Sequence, residues 1–422
     1  MHNRTLLGTA SGVLLLAVVG LSVLLARATR EDFGTYYAAG LAAREHQSVY
    51  TDALAWRDAN FTVNLPAPPP TEGSPYVYPP VFSLLMVPLT LIGPAAASLL
   101  WYVGIVASLA ASMWMLTRLL FPLEAVRQVP LALALTLLAM LFGPVRTNLA
   151  AGQTDVLLLL LIVASFATFA RGRLAQAGML LALGVAIKPT VVFLALFFLW
   201  KRAYRSFATF AVGGALLLII PTLYFGLQSV FDFVAVGQYW SSAAFSITPT
   251  NQSPYAMLLR LFTVNGFTQP IADASGLVAI ARYAIPILAV VVLLLNVGRT
   301  RQVPIRRLTM EFGLVILAML IAGPVSEDNH FTFLLLPILA AGSTLLCLKL
   351  SPPTRLVAGL GLAATVVYLS WPTLRLIRNA YYSYYTASLT GPEVFLTGAF
   401  LYGLLALCAI ALLVSRRWRA TS

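Results

Sequence analysis

The chain has 422 residues, of which 60% are hydrophobic and only 10% charged, where a soluble domain carries roughly 25% charged residues. That balance excludes a surface solvated mainly by water. The net charge of +13 sits mostly in short loops between apolar runs, as cytoplasmic loops require, so a nucleic-acid partner is not expected.

Apolar runs of about 17–25 residues recur along the chain, the length that a bilayer core demands of a helix. In lipid the backbone must satisfy its own polar groups, so these runs read as helices and the fold class as an all-α polytopic integral membrane protein. The first run, 5–27, is longer than the apolar part of a secretory leader and has no small-residue cleavage site. It reads as an uncleaved first span. Arg171 and Arg173, then Lys201, Arg202 and Arg205, then Arg299, Arg301, Arg306 and Arg307, and last Arg416, Arg417 and Arg419 are placed inside. This orders about twelve spans, at 5–27, 96–117, 129–143, 154–170, 175–187, 190–200, 206–225, 276–298, 308–323, 331–350, 356–371 and 394–415, with both termini cytoplasmic. The run 80–93 breaks the parity and is short for a crossing, so it is read as an interfacial helix on the outer face. Cys347 and Cys408 lie inside apolar runs and read as small buried hydrophobes rather than a disulfide or a metal pair.

With that orientation only Glu124 and Glu311, of fourteen acidic residues, fall at cytoplasmic positions. The long polar loops 28–78, 226–275, 324–330 and 372–393 fall outside, so chemistry is expected there. In the first of them, Arg30-Glu31-Asp32-Phe33-Gly34-Thr35-Tyr36-Tyr37 puts an acidic pair directly after a span. Such a carboxylate serves either as a proton acceptor or as a helix cap. Tyr76-Val77-Tyr78-Pro79-Pro80 heads the interfacial run, where tyrosine anchors and a first-turn proline are ordinary. Gly152-Gln153-Thr154-Asp155 opens the next span, with Gln153 able to bond a sugar and Thr154 or Asp155 able to cap the helix.

Lys188-Pro189 splits an apolar run, and a lysine at that depth faces a cavity or a partner. An ammonium there suits an anionic lipid phosphate. Asn251-Gln252-Ser253, with Arg260 after it, supplies amides and a guanidinium suited to sugar hydroxyls and phosphate. That tripeptide and Asn60-Phe61-Thr62 also match the glycosylation sequon, a pattern common by chance. Ser326-Glu327-Asp328-Asn329-His330 joins two spans on the same outer side and holds one of the three histidines. No phosphate-binding glycine loop, dinucleotide fingerprint or zinc spacing is present.

The order of these motifs resembles glycosyltransferase family 87, of the GT-C superfamily: Asp32-Phe33 with Tyr36 and Tyr37, Tyr78-Pro79-Pro80, Gly152-Gln153-Thr154-Asp155, Lys188-Pro189, Asn251-Gln252-Ser253 with Arg260, and Asn329-His330. The resemblance covers about residues 30–345. It implies a single GT-C membrane domain over 1–422, with juxtamembrane helices in a first outer loop at 28–95 and a second long outer loop at 226–275. It further implies an inverting enzyme that moves a sugar from a polyprenyl-phosphate carrier to a glycolipid or glycan hydroxyl at the outer face of a bacterial plasma membrane. Mannose is the favoured sugar and arabinofuranose the alternative. Asp32 takes the place of the general base. Lys188, Arg260, His330, Asn251, Gln252, Gln153 and Tyr78 are expected around the donor phosphate and sugar, with Glu31 and Asp328 as auxiliary acids. No cofactor is required, although Glu327 and Asp328 leave a divalent metal open. Many relatives carry asparagine at the position of Asp155, and Ser326-Glu327-Asp328 is more acidic than the pattern. From other classes, a lipid or sugar transporter or flippase predicts an internal repeat, which is not found. A non-catalytic scaffold predicts that Asp32 is dispensable.

Overall fold

A computed structural model describes residues 2–25, 31–55, 75–265, 268–348, 351–370, 389–390 and 392–421. Arg30, the Asn60–Thr62 sequon and most of the 372–393 loop lie outside them. Among the described residues the chain is helical and no strand forms. The helices are α1 (His2–Leu25), α2 (Glu31–Arg44), α3 (Pro80–Met86, continued by a 3-10 turn over Val87–Leu91), α4 (Pro94–Leu120), α5 (Ala125–Leu141) and α6 (Gly143–Ala151). Then come α7 (Asp155–Ala170), α8 (Leu174–Ile187), a 3-10 segment Pro189–Leu194 leading into α9 (Ala195–Trp200), α10 (Tyr204–Phe225), α11 (Gln228–Trp240), α12 (Ala243–Ser246) and α13 (Pro254–Phe262). The chain continues with α14 (Ser275–Asn296), α15 (Ile305–Ala322), a 3-10 segment Asp328–Leu334 leading into α16 (Leu335–Cys347), α17 (Pro352–Tyr368), α18 (Pro392–Leu396) and α19 (Ala399–Thr421).

Within the described residues every expected span falls on helix, 190–200 and 331–350 beginning as 3-10 segments and 394–415 interrupted at 397–398, and six or seven of the twelve have the length to cross alone. By length and composition six of the described helices can cross a membrane, or seven if α5 and α6, bent by 77°, form one broken span. The reason is length. At about 1.5 Å per residue, helices such as α7, α8 and the 189–200 pair are shorter than a hydrocarbon core of about 30 Å. The bend follows from Gly143-Pro144: Phe142 leaves the helical region and proline occupies the first turn of α6. The interfacial run is a short helix plus a 3-10 turn, packed under α2. A Cβ at Gly40 would lie 2.9 Å from Thr90 Cγ2 and 3.0 Å from Met86 Cβ, so only glycine permits that approach.

The bundle core is one large apolar cluster built on α4, α7, α8, α15 and α16. Helices α8 and α10 pack closely enough that a Cβ on Gly178 would fall 2.0 Å from the Ser206 carbonyl oxygen. A smaller cluster, including Ile247, Leu259, Val278, Val394 and Leu401, seats α13 against α14 and α19.

The basic loops gather at one end. Lys201 and Arg307 both pair with the buried Glu311, Arg306 Nε donates to the Leu120 carbonyl at 3.1 Å, and the Arg299 guanidinium stacks on Trp200 at 4.6 Å. The α7–α8 hairpin turns at that end through Gly172 in the left-handed region, φ +78°. Its open ends, and the C-terminus of α15, lie at the other. The cysteines depart from expectation: Cys347 is exposed at the end of α16 and Cys408 is only partly buried, both as free thiols.

Candidate active site

Five short segments converge at the end of the bundle away from the basic loops. Helix α6 stops at Gly152, whose φ of +73° only glycine adopts freely, and the Gln153 N–H closes the turn on the Asn148 carbonyl at 2.9 Å. That turn aims the Gln153 side chain at the first turn of α2. Gln153 Nε2 donates to Asp32 Oδ2 at 2.7 Å. Its Oε1 accepts from the hydroxyls of Tyr36 at 3.1 Å and Tyr78 at 3.0 Å, which are 2.7 Å from each other. The carboxylate fixes the amide orientation, because a flipped amide would turn its carbonyl oxygen toward Asp32. Burial raises both phenols well above their ordinary pKa, so they stay protonated donors. Burial, foremost, also pushes the Asp32 carboxyl up to about 6, against the lowering effect of the Gln153 bond and of Lys188.

The second feature is an ion pair. Lys188, at the C-terminal end of α8, bonds both oxygens of Asp155, the first residue of α7, at 3.1 and 3.0 Å. The carboxylate is fully buried, while the lysine side chain keeps 14% of its surface exposed. The hairpin supplies this contact: antiparallel arms of similar length return residue 188 to residue 155. Asn148 Nδ2 supports Asp155 Oδ2 at 3.4 Å.

The third feature is the wall from Gly323 to Phe333. Asp32, Tyr78, Gln153, Lys188, Glu327, Asp328, Asn329 and His330 all line one cavity of about 770 Å³. Burial raises Glu327 to about 7, with Lys188 opposing the shift. One helical turn beyond Val192, Phe193, Pro286 and Met319, on the same elements, lies a separate apolar cleft of about 220 Å³. Leu196, Leu199, Trp200, Val290, Leu293 and Val315 line that cleft. Among the described residues no three His, Cys, Asp or Glu side chains converge to hold a metal ion.

A carboxylate and an ammonium in one enclosure, with an apolar cleft one helical turn away, are parts suited to deprotonating a hydroxyl beside an anionic lipid. Residues 76–324, more than half of the chain, match the family model of glycosyltransferase family 87. The chain belongs to glycosyltransferase family 87. It is also 30% identical over 134 residues to the polyprenol-phosphate-mannose-dependent alpha-(1-2)-phosphatidylinositol pentamannoside mannosyltransferase of Mycolicibacterium smegmatis (strain ATCC 700084 / mc(2)155). That alignment spans 32% of this chain and 31% of the relative, so the chain matches about a third of the length of the curated protein.

Within this family 87 chain the expected site residues fall into two sets. Asp32, Tyr78, Gln153, Lys188, Asp328 and His330 meet at the cavity. Asn251, Gln252 and Arg260 do not line it. They lie behind the wall and spend their polar atoms on backbone. Asn251 Nδ2 donates to the carbonyls of Ser246 and Pro324, at 3.0 and 2.8 Å, and its Oδ1 accepts the Ser326 N–H at 2.9 Å. Gln252 Nε2 donates to the carbonyls of Pro249 and Thr397, at 2.6 and 2.8 Å. Arg260 Nη1 donates to the carbonyls of Thr248 and Asn251, at 2.7 and 3.0 Å. These three residues brace the loop that holds Pro324–Glu327 in place. Gln153, expected at the donor, bonds the carboxylate of Asp32, and Tyr78, also expected there, bonds Gln153 and Tyr36. Glu31 is exposed on α2 and is not part of the cavity lining. Thr154 occupies the N-cap position of α7 without a side-chain cap bond. Sequence reasoning quoted Tyr36 without giving it a role and passed over Asn148 and the pairing of Asp155 with Lys188. Only the hairpin arm lengths signal that pair in advance.

Proposed function

We propose that this protein transfers a sugar, most readily mannose, from a polyprenyl-phosphate carrier to a hydroxyl of a glycolipid or glycan at the extracytoplasmic face of a bacterial plasma membrane. The observation that carries the reading is Asp32, held by Gln153 in a cavity that also contains Lys188, with an apolar cleft one helical turn away. The family supports glycosyl transfer, and the name of the mycobacterial relative supports the carrier and the sugar.

In this mechanism the acceptor oxygen attacks the anomeric carbon from the face opposite the phosphate. The carbon–oxygen bond to phosphate breaks, its electron pair leaves with polyprenyl phosphate, and the acceptor proton passes to Asp32 Oδ1, the oxygen that Gln153 does not hold. Lys188, still partly exposed beside its partner Asp155, meets the phosphate as its charge grows. The isoprenoid chain lies along the cleft between the 189–200 segment, α14 and α15. Glu31 is exposed and outside this scheme, and Asn251, Gln252 and Arg260 act through the wall they brace.

The test is transfer by the purified protein in nanodiscs, with radiolabelled polyprenyl-phosphate mannose, a mixed envelope-lipid acceptor, and a parallel arm with the arabinofuranosyl carrier. A labelled product from wild type and none from Asp32→Asn is the expected result. Undiminished turnover by Asp32→Asn removes the base. If neither carrier binds, the transporter reading replaces the transferase.

A further inference from the structure

We infer that the wall segment Glu327–His330 is a hydroxyl-reading subsite for the sugar of the donor, chemically distinct from the contact with its phosphate. The inference rests on the lipid-linked transferase reading above and adds which atoms recognise the glycosyl group.

The wall is fastened from behind. Asn251 Oδ1 and the Ser326 N–H, the Gln252 N–H and the Ser326 carbonyl (2.7 Å), and Asn148 Nδ2 with the Asn329 carbonyl (3.3 Å) consume its backbone groups. Some of its side-chain atoms are also spent locally, Asp328 Oδ1 accepting the Asn329 N–H at 2.9 Å, and the rest are left for the cavity. His330 and Asn329 are each only 4% exposed. The Glu327 N–H donates to His330 Nδ1 at 3.2 Å, so a neutral ring carries its proton on Nε2. That Nε2 donor and the Asn329 Oδ1 acceptor have no hydrogen-bond partner among the described residues, and both residues line the cavity. Beside them stand the carboxylates of Glu327 and Asp328.

The donor and acceptor inventory decides the ligand. An ionised phosphate offers acceptors only. It would satisfy His330 Nε2 but meet Asn329 Oδ1 oxygen to oxygen. Each sugar hydroxyl both donates and accepts. A polyol therefore satisfies the imidazole donor, the amide acceptor and the carboxylates together. Lys188 remains the group that suits the phosphate, and the two chemistries sit side by side in one enclosure, as a glycosyl phosphate requires.

The test measures binding rather than turnover, on full-length protein in nanodiscs. The probes are polyprenyl-phosphate mannose, polyprenyl-phosphate arabinofuranose and bare polyprenyl phosphate, against wild type, Asn329→Ala and the near-isosteric Asp328→Asn. A thermal melt confirms that each variant is folded, and Asp328→Asn carries the test if Asn329→Ala does not fold. Wild type should prefer one glycosylated carrier to the bare one. The variants should lose about tenfold or more in affinity for that carrier and keep wild-type affinity for bare polyprenyl phosphate. Equal weakening for both probes, or no weakening, overturns the subsite. Wild type that binds all carriers alike also overturns it, yet leaves the lipid-carrier reading intact. Wild type that binds none overturns both.

Discussion

Replacing Gln153 by leucine removes one hydrogen bond from Asp32 and leaves the shape of the site nearly unchanged. The Asp32 carboxyl titrates at about 6 because burial outweighs two stabilising contacts, the 2.7 Å Gln153 bond and the field of Lys188. A hydrogen bond to a charged group contributes about 1.5–3 kcal/mol, and one pKa unit is about 1.4 kcal/mol, so its loss raises Asp32 by about 1–2 units. A general base works when ionised, so the rate rises with pH through the Asp32 pKa. The acid limb of kcat/KM should therefore move from about 6 to about 7–8 in Gln153→Leu. At pH 7 the ionised fraction falls from about nine-tenths to between a half and a tenth, and activity returns near pH 9. Tyr36→Phe combined with Tyr78→Phe should shift the limb in the same direction, because both hydroxyls that bond the Gln153 amide oxygen are gone. The assay is initial-rate transfer from pH 5 to 9.5 at saturating acceptor. A uniform loss of rate at every pH, with an unmoved acid limb, refutes the claim that Gln153 acts through Asp32.

Lys188→Met should weaken carrier binding and also destabilise the fold by about 3–5 kcal/mol, because Asp155 is left buried and unpaired. The double variant with Asp155→Asn should recover the melting temperature but not the affinity, which separates the two roles. Val290→Trp, in the cleft, should raise KM for long-chain polyprenyl carriers while leaving a ten-carbon analogue nearly unaffected; equal effects on both refute the path of the chain. Arg260→Ala should cost about 3 kcal/mol or more of stability through its lost bonds to the Thr248 and Asn251 carbonyls. At temperatures where it is folded, bare polyprenyl phosphate should bind as in wild type; a selective loss of that affinity would return Arg260 to the site.

Helix positions were legible because lipid leaves the backbone few choices: an apolar run must be a helix, and charge marks its ends. The number of complete crossings was not legible in the same way. A run of 14 to 16 apolar residues, as in α8 and α7, satisfies hydropathy before it satisfies length. The Gly143-Pro144 break could be read locally, yet its 77° consequence depends on what α6 packs against. Asp32, Lys188 and His330 stood out because ionisable groups beside apolar runs are costly unless they are used or paired. Pairing itself is what sequence hides. Asp155 looked like a departure from the family pattern, whereas it is the counter-ion of Lys188, 33 positions away. Arg260 looked like a ligand because a guanidinium in a short amphipathic helix shows its charge but not the carbonyls it meets.

The same accounting locates the ligand. Among the described residues Lys188 is matched by Asp155, Lys201 by Glu311, and Arg260 by a ring of backbone carbonyls. Asp32 is matched on one oxygen by Gln153. Buried polar atoms in a folded protein are almost always satisfied, so an unsatisfied donor and an unsatisfied acceptor on adjacent residues of one cavity wall are the exception that needs a cause. His330 Nε2 and Asn329 Oδ1 form that pair. Under the subsite proposed above, a bound glycosyl group would supply the missing partners, with Lys188 in the same cavity for its phosphate.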